Sequence, residues 1–364
     1  MNTDTRFMAA AIRLARRNEG LTATNPSVAC LIVRDDGRGP VIVGAGVTAR
    51  GGRPHAEPLA LAEAGELARG ATAYVTLEPC AHHGRTPPCA RTLIDAGIAR
   101  VVTAVTDPDE RVNSLGHAML RDAGIAVDEG ILSDEARQGL AAYLLHKRLG
   151  RPFVTLKLAV SRDGFIGVRG AGQTPITGPI SRSMTHLMRA RHNAILVGVN
   201  TVIEDDPELT CRLPGLEDRS PIRIVLDPHG RLPANSALAK TAMRVPVLIV
   251  APPGLPAHAP AIAAGCEVLP CEMHEGRVAL PELLDDLAAR GVRSIMVEGG
   301  AAVARSFLDE GLVDEIALYE GAVSLAGDKA IASPLMPGST PKGFTPGETA
   351  RYGSDQMRIY ARKA

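Results

Sequence analysis

The chain has 364 residues, more than one domain usually holds, so two domains are the starting expectation. Hydrophobic residues make up 45% and charged residues 22%, which is ordinary for folded cores. Forty basic and forty acidic residues give no net charge, and aromatic residues are only 3% with no Trp. This composition lacks the basic field and the stacking rings of nucleic-acid-binding proteins, so it favours a small-molecule substrate.

The cysteines and the apolar runs bear on the compartment. Six cysteines are scattered irregularly at positions 30, 80, 89, 211, 266 and 271, and the first residues do not read as a secretory signal. No apolar run approaches the roughly 20 residues that a membrane span needs. We therefore expect a cytoplasmic protein with reduced thiols and no membrane association.

In chain order, the first half predicts a helix, a hairpin, and then alternating helices and strands. Asp4 is a candidate N-cap for the first helix, which Gly20 closes. The predicted strands are Val28–Val33, Val41–Val47, Ala73–Leu77, Ile98–Val105 and Ile125–Val127, and the predicted helices are 4–19, 56–68, 89–96 and 116–122. This order predicts an α/β sandwich around a mixed sheet.

One constellation in this half carries chemistry. His55 and Glu57 stand in a predicted first helical turn, Cys80 lies just past a strand, and Cys89 begins the next helix. The order His-x-Glu, then Pro-Cys, then Cys is the signature of zinc-dependent nucleobase deaminases. Three ligands leave a fourth position for water, and Glu57 is left over as a base, so a catalytic zinc is favoured over a structural one. Either cysteine alone would be read as a small core residue.

In the second half, a linking helix over Asp134–Arg148 and the turn Gly150-Arg151-Pro152 predict a boundary. We expect a zinc-dependent deaminase domain over residues 1–148 and a second domain over residues 149–364. The second domain opens with the strand Phe153–Val160, and its later α/β rhythm predicts a largely parallel sheet.

Several polar residues of this half are open to two interpretations. Lys157 lies mid-strand among apolar residues, as either a paired internal charge or a group of an active site. Gly299-Gly300 joins a strand to a helix, which suits either a structural turn or the approach of a phosphate. Arg189 and Arg212 suit a phosphate through forked hydrogen bonds or lie solvated at the surface, and Asp205 falls in what reads equally as a solvated turn.

Two sets of motifs are specific enough to indicate a family. The first half carries Asn25-Pro26 and the run Thr-Leu-Glu-Pro-Cys, then His-His-Gly-Arg-Thr-Pro-Pro-Cys, over Thr76–Cys89. The second half carries Leu156–Gly164, Ile176–Gly178, Gly198–Arg212 and Val297–Ala304. On these motifs the chain resembles the bifunctional riboflavin-biosynthesis deaminase/reductase family. The resemblance implies a cytidine-deaminase-like αβα sandwich followed by a dihydrofolate-reductase-like α/β domain. Residues 1–148 would then be a zinc-dependent pyrimidine deaminase domain and residues 149–364 an NADPH-dependent reductase domain.

The resemblance also implies roles for individual residues. His55, Cys80 and Cys89 would hold zinc, and Glu57 would move the proton. NADPH would lie against Ala159, Thr201, Asp205, Gly300, Ala301, Ala302, Val303, Ala304, Arg305 and Ser306. Substrate would contact Asn25, Lys157, Arg189, Leu209, Arg212 and Glu298.

The chain departs from the family pattern at a few positions. Thr48 stands where the family usually has His, and Leu115 stands where it has Lys or Arg, which removes a cation near the expected deaminase pocket. In the reductase half, Pro175 replaces a frequent aromatic residue and Pro228 a small polar one. None of these positions belongs to the zinc constellation.

The predicted function is therefore bifunctional. Zinc-dependent deamination of 2,5-diamino-6-ribosylamino-4(3H)-pyrimidinone 5′-phosphate would be followed by NADPH-dependent reduction of the ribosyl group to ribityl. One alternative is an active deaminase joined to a weakened or non-catalytic reductase-like binding domain. A nucleic-acid deaminase is a second alternative, against which the composition argues. We further expect a homo-oligomer, a dimer or tetramer.

Overall fold

The computed structural model describes residues 2–84, 86–109, 112–254 and 259–363. The chain forms two compact units, Met1–Arg151 and Pro152–Ala364, and each has its own sheet. Within the described residues, none of the helices has both the length and the apolar character needed to cross a membrane.

The first unit mixes helices with one five-stranded sheet. Its helices are α1 (Thr3–Ala15), α2 (Ala56–Ala64), α3 (Cys89–Asp95), α4 (Leu115–Asp122) and α5 (Ser133–Leu149). Its strands are β1 (Ala29–Arg34), β2 (Val41–Val47), β3 (Thr72–Val75), β4 (Arg100–Thr103) and β5 (Ala126–Asp128). The sheet order is β2-β1-β3-β4-β5, with β1 antiparallel to both neighbours and β3, β4 and β5 parallel. The mixed sheet predicted from the sequence is confirmed.

The start of α1 differs from the prediction. The side chain of Asn2, not of Asp4, caps the helix by accepting a hydrogen bond from the amide of Thr5 at 2.8 Å. Asp4 accepts bonds from both terminal nitrogens of Arg100 at 2.9 Å and from the hydroxyl of Tyr74 at 2.7 Å. The carboxylate therefore fixes α1 against β3 and β4, a long-range role that a local capping pattern does not reveal.

The second unit is built on a nine-stranded sheet. Its helices are α6 (Pro179–Arg189), α7 (Val199–Asp205), α8 (Ala237–Lys240), α9 (Ala259–Ala263), α10 (Leu280–Ala289) and α11 (Ala301–Asp309). The strands of the large sheet are β6 (Phe153–Val160), β8 (Ala194–Gly198), β9 (Ile222–Leu226), β10 (Val247–Ala251), β11 (Glu267–Pro270), β14 (Ser294–Val297), β15 (Glu315–Glu320), β17 (Phe344–Tyr352) and β18 (Asp355–Arg362). Two small ladders pair β12 (Met273–His274) with β13 (Arg277–Val278) and β7 (Phe165–Val168) with β16 (Ala330–Ala332).

The strand order places the expected binding elements side by side. The order is β11-β10-β9-β8-β14-β6-β15-β18-β17, parallel from β11 to β15 and antiparallel in the last two pairs. The carboxyl ends of β8, β14 and β6 therefore lie next to one another, where open α/β sheets bind their ligands.

Candidate functional site

The three predicted metal ligands come together in the first unit. The ligand atoms of His55, Cys80 and Cys89 all lie within 4.8 Å of one another. Nδ1 of His55 is 3.8 Å from Sγ of Cys80 and 3.4 Å from Sγ of Cys89. Tetrahedral zinc with the usual bond lengths would separate nitrogen and sulfur by about 3.5 Å, so the donor set fits zinc.

Two glycines in β2 determine how closely the ligand-bearing helix approaches the sheet. A Cβ at Gly46 would lie 2.1 Å from the carbonyl oxygen of Ala56, and one at Gly44 would lie 2.2 Å from that of Ala60. Only glycine lets α2 lie this close to the strand. His55, at the N-cap of α2, and Glu57, in its first turn, are positioned by this contact.

Cys80 and Cys89 differ in pKa in the absence of metal. The thiol of Cys89 donates to Cys80 and lowers the pKa of Cys80 to about 4, an effect that burial opposes and His55 reinforces. The same shared proton raises the pKa of Cys89. The amide of Cys89, at the start of α3, also donates to Sγ of Cys80 at 3.3 Å. The fold thus favours the thiolate form of Cys80, while in the absence of metal Cys89 keeps its proton.

Glu57 is buried beside this cluster, with 4% of its surface exposed. Burial raises the pKa of its carboxyl to about 7, and the negative charge of Cys80 adds to the effect. The pKa of His55 is raised too, mainly through its hydrogen bond to Cys80. A carboxyl group that exchanges its proton near neutral pH suits a general acid and base.

Glu78 is a buried carboxylate that the sequence analysis did not identify. It accepts hydrogen bonds from the amides of Asp107, Ser114, Gly116 and His117, at 2.9 to 3.3 Å. Because Cys80 follows two residues later, these bonds tie the metal-binding loop to the start of α4. In the sequence, Glu78 is part of the Thr-Leu-Glu-Pro-Cys motif, but a glutamate between a strand and Pro79 could equally be solvated at the end of the strand.

Asn25, a predicted substrate contact, lies in the same unit but its amide is engaged. Its Nδ2 donates to the carbonyl oxygen of Gly52 at 2.8 Å, three residues before His55. A Cβ at Gly52 would lie 2.6 Å from that nitrogen. Asn25 therefore supports the turn that leads into the metal-ligating segment.

In the second unit, one buried carboxylate joins two predicted substrate residues. Glu298, just past β14, accepts bonds from Nε and Nη2 of Arg189 at 2.9 to 3.1 Å and from Nζ of Lys157 at 3.3 Å. Burial alone would raise the pKa of Glu298, but Arg189 and Lys157 outweigh it and lower the value to about 2. Lys157 is thus a paired internal charge, the first of the two interpretations given for it. Its partner, Glu298, is itself a predicted substrate residue.

Arg189 and Arg212 differ in how free they are to bind a phosphate. Arg189 is 9% exposed, and its remaining terminal nitrogen donates to the carbonyl of Thr210 at 3.1 Å. The side chain of Arg212 is 50% exposed and meets Glu208 at 3.3 Å. Leu209, three residues before Arg212 in the chain, is buried and has a left-handed φ of 57°, which a bulky residue seldom adopts.

The predicted cofactor residues gather where β8, β14 and β6 end. Gly300 is the N-cap of α11, and its amide donates to Oγ1 of Thr201 on α7 at 3.2 Å. The first bond within α11 runs from the amide of Ala304 to the carbonyl of Gly300, so the amides of the three residues between them form the helix start. That start suits a pyrophosphate, and the residues present fit a dinucleotide.

The other predicted cofactor residues lie on three different elements. Asp205 ends α7, and Ala159 is the penultimate residue of β6. Arg305 and Ser306 lie beyond the first turn of α11 and can offer only side chains to a ligand there.

Comparison with known families assigns a different model to each half of the chain. Residues 1–105 match the cytidine and deoxycytidylate deaminase zinc-binding region, and residues 152–336 match the RibD C-terminal domain. The riboflavin biosynthesis protein RibD of Haemophilus influenzae is 38% identical, covering 98% of this chain and 97% of that protein. Its counterpart in Escherichia coli is 40% identical, with 92% of each chain covered.

Solved structures agree along the whole length. A Thermotoga maritima protein described as a diaminohydroxyphosphoribosylaminopyrimidine deaminase/5-amino-6-(5-phosphoribosylamino)uracil reductase has a TM-score of 0.86 at 31% identity, with 99% of each chain covered. Acinetobacter baumannii RibD has a TM-score of 0.83 at 34% identity over the same shares. The predicted fold class is therefore confirmed in both halves. The chain belongs to the RibD family of riboflavin biosynthesis proteins and is a bifunctional deaminase and reductase.

Proposed function

We propose that residues 1–148 deaminate 2,5-diamino-6-ribosylamino-4(3H)-pyrimidinone 5′-phosphate and that residues 149–364 reduce the ribosyl group of the product to ribityl. Zinc and NADPH are the two cofactors. The observation that carries the proposal is the His55, Cys80 and Cys89 cluster with Glu57 buried beside it. That arrangement has the donors and the proton carrier of a hydrolytic deaminase.

In the deaminase half, His55, Cys80 and Cys89 would hold zinc, which when bound supplies Lewis acidity toward a water molecule. Glu57 takes the proton that the water loses as its oxygen adds to the amine-bearing carbon. Glu57 then returns that proton to the departing nitrogen, the carbon–nitrogen bond breaks, and ammonia leaves. One carboxyl group can perform both transfers, because Glu57 is buried beside the metal ligands and burial raises its pKa.

In the reductase half, bound NADPH would supply hydride to C1′ of the sugar, the bond from C1′ to the ring oxygen would break, and that oxygen would take a proton from solvent. Glu298 holds Lys157 and Arg189 in place at the substrate site, and Leu209 forms part of its wall. Since the guanidinium of Arg189 is bound to Glu298 and Thr210, we assign the substrate phosphate to the half-exposed Arg212. Ala159, Thr201, Asp205 and the segment Gly300–Ser306 would contact the cofactor, and Asn25 would position substrate in the other half.

The test supplies the diaminopyrimidinone phosphate to zinc-loaded enzyme, first without and then with NADPH, and follows ammonia release and NADPH oxidation separately. We expect ammonia in both arms and NADPH oxidation in the second. Glu57→Gln should keep its zinc, lose ammonia release by several orders of magnitude, and still oxidise NADPH when given the deaminated compound.

Other results would change the assignment. Ammonia release by Glu57→Gln close to that of the parent would remove Glu57 from the proton transfers. Ammonia without NADPH oxidation in the parent would favour the alternative of a reductase-like domain that only binds.

We also propose that the enzyme acts in the cytoplasm as a homo-oligomer, a dimer or tetramer. All six cysteines are free, which suits a reducing compartment. β2 is an edge strand with Val41 and Ile42 58% and 48% exposed, a surface that association would cover. Light scattering of the purified protein tests the mass, and a monomer would contradict the proposal.

A further inference from the structure

One cation beside the metal cluster has no role in the mechanism above. Arg53 stands two residues before His55 and reaches across to the loop between the two cysteines. Its Nη1 donates to Oγ1 of Thr86 at 2.9 Å. Its Nη2 lies over Gly84, where a Cβ would come within 3.1 Å of that nitrogen. Arg53 therefore connects the segment that carries His55 with the loop that carries Cys80 and Cys89.

The positive charge of Arg53 has no acidic partner among the described residues. Arg53 stands two positions before His55 and its guanidinium contacts the loop between Cys80 and Cys89, so its charge lies next to the segments that carry the metal ligands. In the part of the chain that the structure describes, the guanidinium of Arg53 donates to the neutral hydroxyl of Thr86, and no carboxylate lies within ion-pair distance of it. A partly buried arginine without an acidic partner is available to an anionic ligand.

The charges of the zinc-loaded centre favour a cation close to it when the substrate is an anion. Two thiolates cancel the charge of a zinc ion, and Glu57 adds a further acidic group, so the centre itself offers no net attraction to an anion. A phosphorylated substrate brings about two negative charges at neutral pH. A cation next to the metal ligands would compensate the negative charges of the phosphate.

The hydrogen-bonding capacity of this place also suits a phosphate. A guanidinium has five N–H donors, and the described contact with Thr86 uses one. The hydroxyl of Thr86 accepts that bond, so its own proton can be donated to a ligand. Gly84 has no side chain to fill the space beside Nη2.

We propose that Arg53 and Thr86 bind the 5′-phosphate of the deaminase substrate. The proposal rests on the deaminase function proposed above and adds the residues that select the phosphorylated compound.

The test compares kcat/KM of ammonia release for the phosphorylated substrate and for its dephosphorylated counterpart. In Arg53→Gln the ratio of the two values should fall about 10- to 100-fold, the effect of losing charge-assisted hydrogen bonds. Thr86→Val should lower the ratio less, and Arg53→Lys should restore part of it. Arg38→Gln is the matched control, because Arg38 is exposed in the turn at the other end of β2 and should keep the ratio of the parent.

Zinc content, measured by mass spectrometry on every variant, separates a phosphate effect from loss of the metal. A ratio equal to that of the parent in zinc-replete Arg53→Gln would overturn the proposal. If Arg53→Gln does not retain zinc, an unchanged ratio in Thr86→Val overturns it instead. A parent enzyme that releases no ammonia from the phosphorylated compound would refute the proposed function, and that result differs from all of these.

Discussion

The buried Glu298 cluster makes a quantitative prediction about stability. Glu298→Gln keeps the shape of the side chain but leaves Lys157 and Arg189 facing a neutral amide. Since a tenfold change in proton affinity corresponds to about 1.4 kcal/mol, lowering the carboxyl pKa from 4.5 to about 2 corresponds to about 3 kcal/mol in favour of the folded state at neutral pH. Removing one partner of a buried ion pair costs about 3–5 kcal/mol in general, and the side chain of Glu298 is only 17% exposed. We therefore expect a loss of about 3 kcal/mol.

The assay is urea denaturation followed by far-UV circular dichroism between pH 4 and 8. The folded-state pKa is depressed, so the contribution of Glu298 is fully present above pH 4.5 and is lost as the pH falls toward 2. The gap between parent and variant should thus be constant from pH 5.5 to 8 and narrow below pH 4.5. Glu267→Gln is the control, because it removes an exposed ion pair with Arg290 and should change stability by less than about 0.5 kcal/mol.

A gap below about 1 kcal/mol at pH 7 would refute the reasoning, since a buried carboxylate between two cations would then be worth no more than a surface one. Adding Arg189→Met to Glu298→Gln should recover part of the loss, because it removes one of the two unpaired cations. A double variant whose loss is the sum of the two single losses would show that the cluster is not coupled.

Two further predictions concern other carboxyl groups. Glu78→Gln places an amide NH₂ against backbone N–H donors, so it should lower the stability of the first unit by about 2–4 kcal/mol and weaken zinc binding. Denaturation measures the stability, and competition with a chelator measures the zinc affinity. Unchanged zinc affinity would show that the bonds to α4 do not hold the loop of Cys80. Burial raises the pKa of Glu315 to about 7 in the folded protein, so as the pH rises the carboxyl group loses its proton at a lower pH in the unfolded chain than in the folded one. The stability should therefore fall by on the order of 2 kcal/mol as the pH rises from 4.5 to 7. Glu315→Gln should abolish that fall in the urea midpoint, and a variant with the slope of the parent would contradict it.

The metal cluster could be predicted from sequence because its residues lie at short, characteristic spacings along the chain. His55 and Glu57 share a helical turn, and each cysteine follows a proline at a junction between elements. Glu78 and Asp4 could not be predicted in the same way. Their partners lie 29 to 96 residues away, and an acidic residue looks the same in sequence whether it is solvated or receives four amides.

The second unit shows the same limit. The parallel strands β6, β8, β9, β10 and β14 were predictable as short apolar runs, but β11, β15 and the hairpin of β17 and β18 were not predicted. Most of β17 is exposed, so its residues carry little of the alternation that identifies a strand. The link from Lys157 to Glu298 joins positions 141 residues apart and depends on the pairing of β6 with β14, which only the folded sheet reveals.

The place of β6 in the nine-stranded sheet also determines when this half of the protein can fold during synthesis. β6 emerges from the ribosome first, yet its two neighbours are β14 and β15, made well over a hundred residues later. Until they appear, both hydrogen-bonding edges of a largely buried strand stay open, and contacts of such long sequence separation form slowly. The first unit has all five of its strands by residue 128. All residues of the zinc site are therefore synthesised while β6, in the reductase half, still lacks its two neighbouring strands.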